Sequence, residues 1–273
     1  MIKKTIAFYL ILLTNWTSGT YQNSDDFLNP NQIVDPNLLP SSLKFLTPSQ
    51  NTPSTPPVIW SILIATICER QDKFKQLAQD LLNQINNLNL NQQVELVFYP
   101  DNRQVTVGYK RNQLLKCAQG EYISFIDDDD LIHHNYVGLI YPQLLTNPDC
   151  VKLIGIMTQP GHSSILRIHS IQYQEYLDTA NALLRPPTHL NPMRKSIASQ
   201  FKFLEVNFGE DKFWTMQIAQ SKLLKQEADI CEPYYFYQFD PSLSATWSQR
   251  FESLQKLTHL LLDQKLATGH ESS

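Results

Sequence analysis

The chain has 273 residues, 42% of them apolar and 18% charged, with a formal net charge of −4, which suits one large globular domain or one domain with appendages. A mildly acidic chain has no bulk attraction for nucleic acid, so an anionic ligand needs a local site or a metal to hold it. Eight glycines and the absence of both G-x-x-x-x-G-K-[ST] and G-x-G-x-x-G argue against a P-loop and against a dinucleotide-binding fingerprint.

The N-terminus, "MIKKTIAFYLILLTNWTSG", sets lysines at 3 and 4 before an apolar run from Ile6 to Leu13. That is the layout of a signal peptide over residues 1–20, or of a short buried or interfacial anchor, and the run is too short to span a bilayer comfortably. Membrane contact is expected only through this segment, and localisation stays open between cytoplasmic and membrane-associated. Residues 21–57 form a proline-rich arm, with seven of the sixteen prolines between 22 and 57, so neither a continuous helix nor a central strand can form there. Leu38, Leu39, Leu43, Phe45 and Leu46 suggest that part of the arm packs on the domain.

From Val58 the pattern becomes regular. "VIWSILIA" is a short apolar run of the kind expected for a strand buried on both faces. Phe74, Leu77, Ala78, Leu81, Leu82 and Ile85 follow at helical spacing. "QVELVFY" (93–99) reads as a strand, "PDNRQ" as a turn, and Gly108–Ala118 as a helix stopped by Gly120. "EYISFI" is a third strand, "HNYVGLIYPQLL" a helix, and "CVKLIGIM" (150–157) a fourth strand. This alternation predicts an α/β layered domain with a mostly parallel sheet.

Beyond 158 the signals loosen. "SSILRIHSIQYQEY" reads as a hairpin or edge pair, "KFWTMQIAQSKLL" as a helix and "CEPYYFYQF" as a strand. Residues 246–273 read as an amphipathic helix with a tail, carrying Phe251, Leu254, Leu257, Leu260 and Leu261. The four cysteines, Cys68, Cys117, Cys150 and Cys231, lack zinc-type spacing and read as buried free thiols, with one disulfide as the alternative.

The third strand runs straight into Asp127, Asp128, Asp129 and Asp130. One or two aspartates suit a helix cap, but four in a row exceed what capping needs. Their repulsion falls if a hard divalent cation, Mg²⁺ or Mn²⁺, sits among them. Such an ion held by one or two carboxylates completes its shell with substrate phosphates, and ligands of parallel sheets bind beyond the carboxyl ends of the strands. His133 and His134 also raise zinc, against the plainer reading of a solvated pair.

Four segments read together, "WSILIATICER", "VGYKRNQLLKCAQGEYISFIDDDD", "THLNPMRKSIA" and "FGEDKFW", resemble family-2-like glycosyltransferases with the GT-A fold, over roughly residues 58–240. The resemblance implies a three-layer αβα sandwich with a mostly parallel central sheet over residues 58–245. It also implies an inverting transfer of a sugar from a nucleotide-sugar donor, with UDP the expected nucleotide, to a hydroxyl of a glycan, lipid or protein acceptor. It places Thr66, Glu69 and Arg70 on the nucleotide, Asp101 near the base or ribose, and Lys110 and Arg111 near the donor. Asp127 and Asp128 would contact the nucleotide sugar, with Asp129 binding Mn²⁺ or Mg²⁺ and Asp130 assisting. Asp211 would be the general base, with Glu210 as runner-up or as a neighbour raising its pKa. His189, Arg194 and Trp214 would approach the acceptor.

Plainer readings stand beside these. Arg70, Lys110 and Arg111 could be ordinary helix-surface charges, Glu210 and Asp211 an acidic first turn, His189 a structural residue and Trp214 a core residue. Where many GT-A enzymes supply a late histidine ligand, "EPYYFYQFDP" offers Tyr and Phe. The rival functions are a catalytically silent sugar- or nucleotide-binding module of the same fold, and a sugar-1-phosphate nucleotidyltransferase. The latter needs a glycine-rich loop that "TICERQDKF" lacks.

Overall fold

The computed structural model describes residues 43–44, 57–159 and 161–238. The expected signal or anchor segment, most of the arm and the C-terminal helix lie outside the described residues. The elements run β1 (Leu43–Lys44), β2 (Trp60–Ile67), a 3₁₀ turn (Cys68–Arg70), α1 (Gln71–Asn87), β3 (Val94–Asp101), α2 (Val107–Cys117), β4 (Tyr122–Phe125) and β5 (Leu131–Ile132). They continue with α3 (Tyr136–Leu144), β6 (Cys150–Val151), β7 (Leu153–Thr158), β8 (Ile165–His169), β9 (Leu177–Asp178), β10 (Ala182–Arg185) and β11 (Met193–Arg194). Last come α4 (Lys195–Ala198), α5 (Glu210–Ser221), β12 (Glu227–Ala228) and β13 (Tyr235–Gln238).

The apolar strand β2 lies at the centre of the first sheet, parallel to β3 on one side and to β4 on the other. Its alternation splits the core in two. Trp60, Ile62 and Ile64 face α1 and α3, where Phe74, Leu81, Ile85, Tyr136 and Ile140 are buried. Leu63 faces Leu114, Leu115, Trp214 and Ile218 from α2 and α5. Helices cover both faces because neither face of such a strand can be left wet. Within the arm, β1 adds to β3 in parallel, Leu43 opposite Leu96.

The first sheet is mostly parallel, as expected, and two features go beyond that expectation. The apolar run 150–157 is two strands. β6 joins the first sheet between β11 and β12, whereas β7 belongs to a second sheet of order β5-β13-β7-β8-β10-β9. The break falls at Lys152, whose amine pairs with Asp229 at 3.1 Å. Next to β4 comes not the following strand in sequence but β11, antiparallel, Met193 opposite Ile123 and Arg194 opposite Tyr122.

Gly108 fixes how close α2 lies to the loop before α5. Its N–H donates to Val206 O at 3.2 Å, and a Cβ there would meet the Leu204 carbonyl oxygen at 1.7 Å. Gly108→Ala therefore forces backbone apart beside Lys110 and Arg111. The expected cost, about 1–3 kcal/mol or more by comparison with overpacked cores, is read from urea denaturation midpoints. An unchanged midpoint would mean that this approach is not the one in solution.

All four cysteines are free thiols, but only Cys150 is buried; Cys68 and Cys117 are half-buried and Cys231 is exposed. Among the described residues no helix is long and apolar enough to cross a membrane.

Candidate active site

Because β2, β3 and β4 are parallel, their carboxyl ends share one edge of the sheet, and the expected donor residues gather there. From the end of β2, Arg70 reaches across to the acidic run, its Nη1 lying 2.8 Å from Asp128 Oδ1 and 3.1 Å from Asp129 Oδ2. Glu69 is exposed and pairs with Arg103 at 2.6 Å, which holds its carboxyl below the usual range. Asp101, at the end of β3, takes the buried Lys110 ammonium at 2.7 Å, and the same ammonium donates to Thr66 O at 3.0 Å. The Thr66 hydroxyl is buried without a partner. Lys110 and Arg111 are both buried, so the helix-surface reading does not hold for them.

Capping does not explain the aspartates. β5 intervenes before α3, whose N-cap is Asn135. Each carboxylate has its own role. Asp127 Oδ1 accepts from Arg111 Nη2 at 2.8 Å, and Asp128 is buried against Arg70 with its second oxygen unpartnered. Asp130 is buried and receives the Tyr235 hydroxyl at 2.6 Å, while that same hydroxyl accepts from the Asp127 N–H at 3.2 Å. The late "PYYFYQF" segment thus reaches the acidic run through a phenol. Asp130 braces β13 through the Tyr235 hydroxyl. Against the cost of burial, Arg111 and His189 hold the Asp127 carboxyl well below its ordinary range. Burial, together with Asp127 and Asp128, pushes Asp129 up.

Arg111 ties this edge to a distant part of the chain. Its Nη1 donates to Glu210 at the start of α5, a contact in which both side chains are 6% exposed. It also sits over the rings of Phe125 and Phe203, 5.9 and 5.7 Å from their centroids. One guanidinium thus serves two carboxylates, and the excess negative charge falls on Glu210. Burial, with Asp211 adjacent, pushes the Glu210 carboxyl up to about 7 despite the arginine. Gly209, in the left-handed region at φ 82°, turns the chain into α5. Asp211 follows, half-buried, and among the described residues no hydrogen bond or ion pair engages its carboxylate.

The residues expected at the acceptor divide. The β11 segment runs antiparallel to β4, so its early residues lie at the site and its late ones at the opposite edge. His189 O accepts from Phe125 N at 2.9 Å, and the buried imidazole lies with Nε2 3.7 Å from Asp127 Oδ1. Burial and Arg111 hold His189 below its ordinary pKa, with Asp127 acting the other way. Arg194, beside Tyr122 at the start of β4, pairs with Glu121 at 2.6 Å and donates to Asn147 O at 2.8 Å; it is far from the acidic edge. Trp214 is 0% exposed and stacked on Phe203 at 4.8 Å, with its indole N–H on Phe201 O at 3.2 Å. No ring face is left for a sugar, and the core reading holds. His133 is held in a turn, its Nδ1 accepting from Asn135 N at 3.1 Å.

The sequence model described as Glycosyl transferase family 2 matches residues 60–215, from β2 through the Glu210–Asp211 pair. The chain belongs to glycosyl transferase family 2. Its layered sheet, with the acidic run at the carboxyl edge, is the expected GT-A fold. Solved structures similar to this family 2 chain include S. aureus TarS 1–349 in complex with UDP-GlcNAc, at 15% identity over 69% of this chain and 62% of that one, with a TM-score of 0.47. They also include S. aureus TarS 1–349 in complex with UDP, at 15% identity over 67% and 61%, with a TM-score of 0.45. The chain thus spans about three fifths of those relatives' length. No curated protein sequence matches significantly.

Among the described residues no three His, Cys, Asp or Glu side chains converge as a metal-binding group. The reason is visible in the pairing: Arg111 takes Asp127, Tyr235 takes Asp130, and Arg70 is shared by Asp128 and Asp129. Asp129 is the more open of the two on Arg70, its side chain 27% exposed against 3% for Asp128, and it carries its neighbours' charge. A carboxylate of this kind, once Arg70 yields it, fits a hard divalent cation whose other ligands are substrate phosphates and water.

Residues not singled out from sequence include Tyr235, Tyr176 and Arg167. The alternation of Tyr235 and Tyr237 in "YYFYQF" is the one sequence signal that could have marked them as sharing a face.

Proposed function

We propose that this chain transfers a sugar, with inversion, from a nucleoside-diphosphate sugar to an acceptor hydroxyl. The observation that supports the reading best is the double bridge of Arg111 to Asp127 and Glu210. It makes the donor edge and the start of α5 one rigid unit, so that a donor held at Asp127–Asp129 lies next to Asp211. In this reading Asp101 and Lys110 sit at the nucleoside end, and Arg70 lies at the diphosphate beside Asp129. Mn²⁺ or Mg²⁺ on Asp129 would supply Lewis-acid stabilisation of the leaving diphosphate. Asp211, with both oxygens free of protein partners among the described residues, takes the proton of the acceptor hydroxyl as it attacks the anomeric carbon. Glu210 is turned to Arg111 and positions the turn. UDP-linked donors are the first to try.

Calorimetric titration of a panel of nucleotide sugars into the full chain, with and without Mn²⁺, tests this. Donor binding should tighten with Mn²⁺ and weaken about tenfold or more, roughly 1.4 kcal/mol, in Asp129→Ala. Donor binding indifferent to both would remove the metal from the reading. Donor binding with no turnover on any acceptor, water included, would favour the silent module.

A further inference from the structure

The face of the second sheet that looks toward the acidic run carries a cation, Arg167, whose charge reaches Asp130 without an ion pair being formed among the described residues. Tyr235 on β13 is opposite Gly155 on β7, and Gly155 is opposite Arg167 on β8, so all three positions present the same face. Tyr235 points its hydroxyl at Asp130, which fixes that face as the one lining the cleft. Gly155 contributes no side chain between them, and a Cβ there would meet Tyr235 O at 2.8 Å. Across this gap Arg167 lies over the Tyr237 ring, 4.9 Å from its centroid. Its Nε is buried without a partner, and no ion pair engages it among the described residues.

A second cation stands nearby. The Tyr176 ring has Arg185 on it at 4.6 Å and Lys212 at 5.1 Å. Arg185 is already engaged, by Asp178 at 2.5 Å and by Leu184 O at 2.9 Å. Lys212 is exposed and, like Arg167, has no carboxylate partner among the described residues. Burial and the Asp211 carboxylate push the Tyr176 phenol up, while Arg185 and Arg167 pull it down. Asp211 and Arg167 thus both act on that phenol.

We infer that Arg167 and Lys212 form an acceptor subsite for an anionic group, a phosphate or a carboxylate, carried on the molecule whose hydroxyl Asp211 deprotonates; this rests on the glycosyl-transfer reading above. The charge balance of the cleft supports it. One wall holds Asp127–Asp130 and Asp211, which would repel an anionic acceptor approaching alone. Arg167 on the second sheet and Lys212, the neighbour of Asp211 on α5, offset that repulsion. Arginine stacked on an aromatic ring keeps its fork fixed, so oxyanion recognition costs little ordering.

The test uses the full chain and four probes: glycerol 3-phosphate and glucuronate as anions, glycerol and methyl glucoside as neutral counterparts. Each is titrated with UDP and Mn²⁺ present and again without them, against wild type, Arg167→Gln and Lys212→Gln. Wild type should bind one or both anions about tenfold or more tightly than the neutral probes, and each variant should lose about that factor. The tighter anion tells phosphate from carboxylate. UDP affinity should be the same in all three proteins. The inference is overturned if anions bind no better than neutral probes, if both variants keep anion binding, or if UDP affinity falls in step, which would give these cations to the donor. A wild type that binds anions but neither UDP nor any nucleotide sugar sinks the glycosyl-transfer reading instead, because the anion titrations without UDP stand by themselves.

Discussion

Arg111→Met is expected to destabilise the domain by about 3–5 kcal/mol near neutral pH, the usual loss when one partner of a buried ion pair is removed. Two carboxylates lose their cation at once. Glu210 is 5% exposed and its carboxyl already stands at about 7, so it can escape the penalty by taking a proton. Asp127, which Arg111 and His189 hold in the charged form, escapes less readily. The sign of the pH dependence follows. Without the guanidinium, both folded-state carboxyls sit above their unfolded values, so stability is gained as pH falls through the folded pKa values. The deficit of Arg111→Met should therefore be largest at about pH 8 and shrink toward about pH 5.5. Arg111→Met/Glu210→Gln should recover part of it at the higher pH. Arg111→Lys should not restore wild-type stability, because a point charge cannot fork to both carboxylates. Urea denaturation of the variants at the two pH values measures all of this. A deficit under about 1 kcal/mol would place Arg111 among exposed pairs, which are worth that little, and would dissolve the link between donor edge and base.

That link was beyond reach of the sequence for a definite reason. Arg111 and Glu210 are 99 residues apart, and no periodicity reports a contact at that separation. What was legible was local. The apolar run of β2, the helical spacing of Phe74, Leu77, Leu81 and Ile85, and the aspartates at a strand end all depend on neighbours within one element. The Asp127–Asp130 and Glu210–Asp211 segments were likewise readable as short motifs, and the family match spans both.

The misplaced parts share one cause, which is pairing between strands that do not follow each other in sequence. Arg194 was expected at the acceptor together with His189 from the resemblance carried by "THLNPMRKSIA". β11 lies antiparallel to β4, so those residues point to opposite edges of the sheet. The run 150–157 was read as one strand, since hydrophobicity cannot say that Val151 and Leu153 belong to different sheets. Arg167 went unnoticed on a strand whose significance depends on a glycine in its neighbour. Trp214 had both readings open at helical spacing, and the stacked Phe203 ring decided between them.

Asp211→Asn is expected to lower the transfer rate by about 10²–10⁴-fold, the usual worth of a positioned general base, while donor affinity and unfolding midpoint stay as in wild type. The choice of Asp211 over Glu210 rests on lone pairs. Glu210 gives Oε1 to Arg111 in a contact closed to solvent, so an acceptor hydroxyl could use that oxygen only by displacing the arginine. Asp211 is half-buried, one residue further along the first turn of α5, and carries no such burden. Glu210→Gln then makes the contrast. It keeps the size of the side chain and an oxygen for Arg111, so it should cost some stability and a modest part of the rate. Rates are measured with the best donor of the panel, transfer to water being the assay when no acceptor is in hand. If Glu210→Gln removes activity at an unchanged unfolding midpoint and Asp211→Asn does not, the base is Glu210, and Arg111 is then the group that must move for catalysis to begin.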